Sequence, residues 1–235
     1  MGKAERNEQR VLNSVRNMAT SAVLQTVLGI LAFVERTIFI RCLSIDYLGL
    51  NSLFSNILNV LSMAELGISS AIAFALYKPI AENNYDLIKS YMSFFKKAYR
   101  VIGSVILAIG IILSPFINLF LENDQSIENA SYYFLIYLFG VGLTYFYSYK
   151  QILIEADQKK YINQLVICFG SILRVIVQLI AISITHDYGV YIFLYLVFNV
   201  GKNIVLAVWA DRLYPYLKDR KVAKLETRER KSIVR

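Results

Sequence analysis

Six stretches of twenty or more predominantly apolar residues recur along the chain, separated by short polar connections. An α-helix needs about twenty such residues to cross ~30 Å of hydrocarbon at ~1.5 Å per residue, so the pattern predicts six membrane spans. They cover residues 17–43, 48–76, 100–121, 131–153, 162–184 and 189–210. The expected fold is therefore an all-α integral membrane protein, a six-transmembrane-helix bundle occupying residues 1–211, with a basic tail or linker at 212–235.

The spans are not uniformly apolar. In the second, Asn51, Ser55, Asn59, Ser62, Glu65 and Ser69 recur every three or four residues. At ~100° per residue that spacing draws them into a stripe within roughly a third of a turn. A helix facing only lipid carries no such stripe, because polar groups at membrane depth need a bundle interior or a wet cavity. Similar faces occur elsewhere: Ser14, Asn17, Ser21 and Gln25 in the first span; Tyr133, Tyr137, Gly140, Thr144, Ser148 and Gln151 in the fourth; Gln164, Ser171, Arg174 and Gln178 in the fifth; Tyr191, Tyr195, Asn199, Lys202 and Asn203 in the sixth. The third has scattered Ser104, Ser114 and Asn118 only, which makes it the expected lipid-exposed helix, bent at Pro115. Two readings of the stripes stay open: hydrogen-bonding glue between packed helices, or the wall of a hydrated cavity.

Composition agrees with a membrane class. Of 235 residues 57% are hydrophobic and 18% charged, where a soluble domain is nearer a quarter charged; mean hydropathy is +0.49. The net charge of +8 follows from loops, since 21 of the 25 Lys and Arg residues lie in the N-terminal segment, two connections and the C-terminal tail. Those four segments fall on one side of a six-span topology, which places both termini in the cytoplasm. The first span reads as an uncleaved anchor, and Arg6 stands where a myristoylation motif needs Ser or Thr. Basic residues dispersed over loops do not make a nucleic-acid face. Cys42 and Cys168 are too few and too far apart along the topology for a disulfide or metal framework, and the single His186 sits in a loop with no nucleophile beside it. Neither cofactor nor enzymatic activity is expected.

The intramembrane charges point to chemistry. Arg174 and Lys202 each fall about 18 Å into their spans, near the midplane, where an ionisable side chain is expensive without a partner. A guanidinium fork and an ammonium suit an anionic, phosphate-bearing ligand, and tyrosines beside them suit sugar rings. The candidate substrate-binding residues are Arg174, Lys202, Asn199, Gln178, Tyr137, Tyr195 and Asn59; Glu35, Arg36 and Glu65 are candidates for ion coupling or for structural ion pairs.

YLGLNSLF after the first span, AELGISSAI closing the second and KKAYR leading into the third resemble the polysaccharide-transport, Wzx-like branch of the multidrug/oligosaccharidyl-lipid/polysaccharide flippase superfamily. That resemblance implies two six-helix lobes around a central cationic cavity, and transport of undecaprenyl-diphosphate-linked oligosaccharide across the bacterial cytoplasmic membrane. On that resemblance the 235 residues are expected to correspond to the N-terminal lobe alone, or to a half-size protein that dimerises. The implied partners are the lipid-linked substrate, membrane lipid, and a second six-helix lobe or a homodimer partner. An exporter of another amphipathic substrate and a non-transporting scaffold in polysaccharide assembly are the alternatives.

Overall fold

The computed structural model describes residues 3–121 and 127–218, with side chains for all but residues 3–14, 16, 64, 66 and 67. The connection at 122–126, the tail at 219–235, and the side chains of Lys3, Arg6, Arg10, Ser14 and Arg16 lie outside the described residues.

Eight α-helices make up the described chain, with no strand among the described residues: α1 (Lys3–Cys42), α2 (Ile45–Ser62), α3 (Leu66–Ala81), α4 (Tyr85–Leu113), α5 (Ala130–Gly142), α6 (Tyr145–Ala156), α7 (Lys160–Thr185) and α8 (Tyr188–Leu213). Four segments are long and apolar enough to cross a membrane by length and composition: Asn17–Cys42, Tyr85–Phe120, Lys160–Thr185 and Tyr188–Leu213. They match the first, third, fifth and sixth expected spans.

The second and fourth expected spans are each broken. A 3₁₀ turn at Met63–Glu65 separates α2 from α3, and a turn at Leu143 and Thr144 separates α5 from α6. Both breaks have local causes. Gly67 follows the first, and glycine weakens a helix interior. At the second, Gly140 and Gly142 precede Thr144, whose Oγ1 donates to the Val141 carbonyl at 2.6 Å. A threonine hydroxyl bonded to the preceding turn competes with the helical ladder. Backbone angles stay right-handed helical through both junctions, −59°/−28° at Met63 and −64°/−28° at Thr144, so they bend the path without reversing it.

True reversals use left-handed residues: Asn83 after α3, Gln158 after α6 and His186 after α7 have φ of 53°, 60° and 50°. Asn and its kin tolerate this region because the side chain can bond locally. Asn84 then caps α4 by accepting from the Leu87 N–H at 3.1 Å, and Asp187 caps α8 by accepting from Gly189 at 2.6 Å.

The bundle has two distinct ends. At one, Asn17 bonds the Gln158 carbonyl and the Tyr161 N–H, the Tyr214 hydroxyl donates to Asp157, and Tyr85 packs against Tyr216 with ring centroids 4.7 Å apart. This end gathers the connections rich in Lys and Arg. At the other, His186 meets the Cys42 carbonyl at 3.1 Å and Tyr188 packs against Tyr47 and Tyr133. Helix α8 runs between them through the middle of the bundle, packing on α5, α6 and α7.

Exposure contradicts one expectation. The least covered of the four long apolar helices is α1, with 6% of its most apolar window buried against 28% for the α4 segment. From residue 101 onward α4 lacks a polar stripe but carries small residues. A Cβ on Gly103 would stand 2.8 Å from the Tyr145 Cβ, and one on Gly110 would collide with the Leu138 side chain. Close backbone approach at glycine is an interhelical signal independent of polarity.

Candidate functional site

Five helices converge on a cavity of about 220 Å³ in the half of the bundle away from the basic end. Helix α1 supplies Ala32, Glu35, Arg36 and Phe39; α2 supplies Leu48 and Asn51; α5, α7 and α8 supply Tyr137, Arg174, Tyr191 and Tyr195. Glu35 and Phe39 are one turn apart, as are Tyr191 and Tyr195, so each helix presents one face to the cavity.

Arg174 is its electrostatic centre. The guanidinium holds Glu35 in a two-pronged pair, Nη1 to Oε1 at 2.9 Å and Nη2 to Oε2 at 3.2 Å. It also donates to the Gln178 amide oxygen one turn further along α7. The Tyr191 hydroxyl adds a third bond to Glu35, at 2.6 Å. Gln178, fully buried, spends its amide hydrogen on the Tyr191 carbonyl at 2.8 Å. Both charged side chains are less than a fifth exposed, where a bidentate, hydrogen-bonded geometry is what makes an ion pair tolerable.

An aromatic platform backs the cation. Arg174 lies over the Tyr195 ring at 5.8 Å, and Tyr195 stacks on Tyr137 with centroids 4.8 Å apart and planes 5° from parallel. Guanidinium over a stacked tyrosine pair gains both cation–π and stacking energy. Arg36 reaches the same cavity and is exposed, and it makes no ion pair among the described residues. With Glu35 neutralising Arg174, the cavity keeps one unbalanced positive charge. It can receive an anion at Arg36 and, by exchange for Glu35, at Arg174.

The expected site residues divide by place. Arg174, Tyr137 and Tyr195 line the cavity together with Glu35 and Arg36. Gln178 stands behind Arg174 as a support. Asn199 is committed between helices, its amide donating to the Gly140 carbonyl at 2.7 Å. Lys202 lies against Gly170, one turn before Arg174 on α7, and makes no ion pair among the described residues. Asn59 is exposed and outside the cavity wall. Glu35 and Arg36, adjacent in sequence, do not pair with each other; their side chains diverge and Glu35 turns to Arg174. Of the two midplane cations, Arg174 thus has a carboxylate partner and Lys202 has none among the described residues. Glu65 belongs to a separate cluster at the α2–α3 break, with Ser69 and Tyr99. Tyr191 and Asn51 were readable as members of polar faces, but not as cavity residues, because which faces meet depends on helix packing.

Elsewhere the stripes act as glue. Gln151 bonds Asn203 at 2.6 Å and Tyr145 bonds Ser62 at 2.9 Å, each between two helices. Both cysteines are free, and no group of metal-ligating side chains occurs among the described residues. No protein-family model, no curated protein and no solved structure matches the chain.

Proposed function

We propose that the chain is a six-span lobe of a membrane flippase, moving undecaprenyl-diphosphate-linked oligosaccharide out of the cytoplasmic leaflet for surface polysaccharide synthesis. On this reading α2–α3 and α5–α6 are single bent spans, which brings the four long apolar helices to six. The basic end of the bundle faces the bacterial cytoplasm with both termini, and a second lobe or a second copy closes the cavity. The protein has no catalytic role and needs no cofactor.

The observation that carries the reading is the cavity itself: Arg36 and Arg174 beside stacked Tyr137 and Tyr195, in an open pocket lined by five helices. Diphosphate oxygens match guanidinium forks, and sugar rings match tyrosine faces. Arg174, less than a fifth exposed among apolar helices, is by default a functional-site candidate. The lipid tail would stay in the bilayer, so a small polar cavity suffices for the headgroup region.

A second reading, a non-transporting scaffold, is favoured by the interhelical bonds of Asn199, Gln151 and Tyr145, which spend polar side chains on packing. Deleting the gene separates the two. The expected outcome is accumulation of lipid-linked oligosaccharide in the cytoplasmic leaflet, restored to normal by the wild-type gene. A paired Glu35→Gln/Arg174→Gln variant with Arg36→Gln, which removes the cavity charge without orphaning a carboxylate, should fail to restore it. Normal leaflet distribution after deletion would leave the scaffold.

A further inference from the structure

Within the cavity Glu35 stands where a ligand would. Its two oxygens lie in the fork of the Arg174 guanidinium at 2.9 and 3.2 Å, and the Tyr191 hydroxyl donates to one of them at 2.6 Å. Three donors converging on a pair of anionic oxygens make a receptacle that suits a carboxylate and a phosphate alike. The receptacle has supports of its own. Arg174 is held from behind by the Gln178 amide oxygen and rests over the Tyr195 ring, and Gln178, fully buried, is anchored in turn to the Tyr191 carbonyl at 2.8 Å. All of these groups belong to α7 and α8, which pack on each other. The carboxylate alone comes from α1, the least covered of the four long apolar helices. Donors fixed on two packed helices, with their acceptor on a sparsely covered third, describe a preformed site with a detachable occupant.

The surroundings favour exchange. Arg36, next to Glu35 in sequence, lines the same cavity, is exposed and makes no ion pair among the described residues. An anion that docks there is drawn to Arg174 and repels Glu35 at close range. The pair of Lys150 with Asp211 is a contrast: it joins α6 to α8 at 2.7 Å, and neither residue lines the cavity. The Glu35–Arg174 pair also joins two helices, but in the wall of an open pocket, where 15% and 18% of the two side chains remain accessible.

We infer that Glu35 is a self-ligand of the Arg174 receptacle, holding it shut to any anion that cannot replace both carboxylate oxygens. This rests on the anion cavity of the flippase reading and makes Glu35 a specificity determinant within it. A halide offers a single centre in place of two oxygens, whereas a phosphate or diphosphate presents paired oxygens to the two prongs of the guanidinium. A pair that is only structural gains no ligand affinity when it is broken. A self-ligand does the opposite: removing it tightens the site, because the fraction of molecules with a free receptacle rises.

Calorimetric titration of the full chain in phosphatidylcholine nanodiscs with inorganic pyrophosphate, in chloride-free buffer, tests this. Glu35→Gln should bind pyrophosphate about tenfold or more tightly than the wild type. Added chloride should compete in Glu35→Gln but not in the wild type. Binding by the wild type with equal or weaker binding by Glu35→Gln overturns the self-ligand and leaves the anion cavity in place. No binding by either protein overturns both. Chloride competition that is the same in the two proteins overturns the discrimination. Should Glu35→Gln fail to fold, Glu35→Asp keeps the charge but withdraws it from the two-pronged geometry by one methylene, and pyrophosphate binding no tighter than the wild type's then overturns the proposal equally.

Discussion

Arg174 shows how one side chain decides whether a buried charge is a liability. Its partner comes from α1, 139 residues away, and the pair is closed by Gln178 and Tyr191. Removing one member of such a pair leaves the other uncompensated, so Arg174→Gln should cost about 3–5 kcal/mol. Adding Glu35→Gln should return much of that, and a double-mutant cycle should give a coupling of about 0.5–3 kcal/mol. Denaturation midpoints in detergent check both, and additive losses would mean that the two charges do not interact. At the basic end, the tyrosines make a pH-dependent clamp. Burial first, then the neighbouring Asp157, raises the Tyr214 phenol, and the same two causes push Tyr216 up to about 12. A phenol that stays neutral in the fold while the unfolded chain ionises near ~10 stabilises fully below that pH. The contribution then declines as pH rises from ~10 through about 12. Tyr216→Phe should flatten this alkaline decline in thermal melts, leaving behaviour near neutrality unchanged.

Glycine in α4 and glycine in α1 have opposite roles despite equal helical settings. Gly103 lets α4 approach α6 so closely that a methyl group would meet the Tyr145 Cβ at 2.8 Å, an atom fixed to backbone. Gly29 on α1 has nothing within 4 Å of that position. Gly103→Ala should therefore destabilise by about 1–3 kcal/mol through overpacking, whereas Gly29→Ala should gain up to about 0.5–1 kcal/mol of helix propensity. Melting curves of the two variants test this, and equal responses would mean that α4 and α6 are not in contact at Gly103. The same contrast explains what was legible in the sequence. Apolar length located α7 and α8 closely, since runs of twenty residues leave little ambiguity, but caught only part of α1 and α4, whose helices begin at Lys3 and Tyr85 rather than at 17 and 100. Periodicity found the face bearing Arg174 and Gln178 and the face bearing Tyr191 and Tyr195. It could not say that Glu35 joins them while Asn59 stays outside, because helix rotation and partner are set by packing, not by period. Nor did it locate the breaks at Met63–Glu65 and Thr144, where the run stays apolar while local side chains loosen the ladder.

At the scale of the molecule, the proposed orientation rests on the separation of charge between the two ends. Connections holding Lys78, Lys89, Lys159 and Lys160 meet at one end with the start of the tail, tied by the Tyr214–Asp157 bond and the Tyr85–Tyr216 contact. The opposite turns, at 43–44 and 186–187, contain no Lys or Arg and are tied by His186 to Cys42. Basic loops are retained on the cytoplasmic side during insertion, so the two ends should differ in chemical access. In a Cys42→Ser/Cys168→Ser background, Ile45→Cys and Glu82→Cys place single thiols at exposed positions on opposite ends. A membrane-impermeant maleimide should label Ile45→Cys in intact cells, and Glu82→Cys only after permeabilisation. The reverse pattern would invert the topology and place Arg36 and Arg174 nearer the cytoplasmic leaflet, with substrate entering directly at the cavity. Labelling of both thiols in intact cells would mean that the apolar helices do not separate two compartments. The exposed face of α1 would then need a protein cover, since lipid would no longer account for the apolar surface it presents.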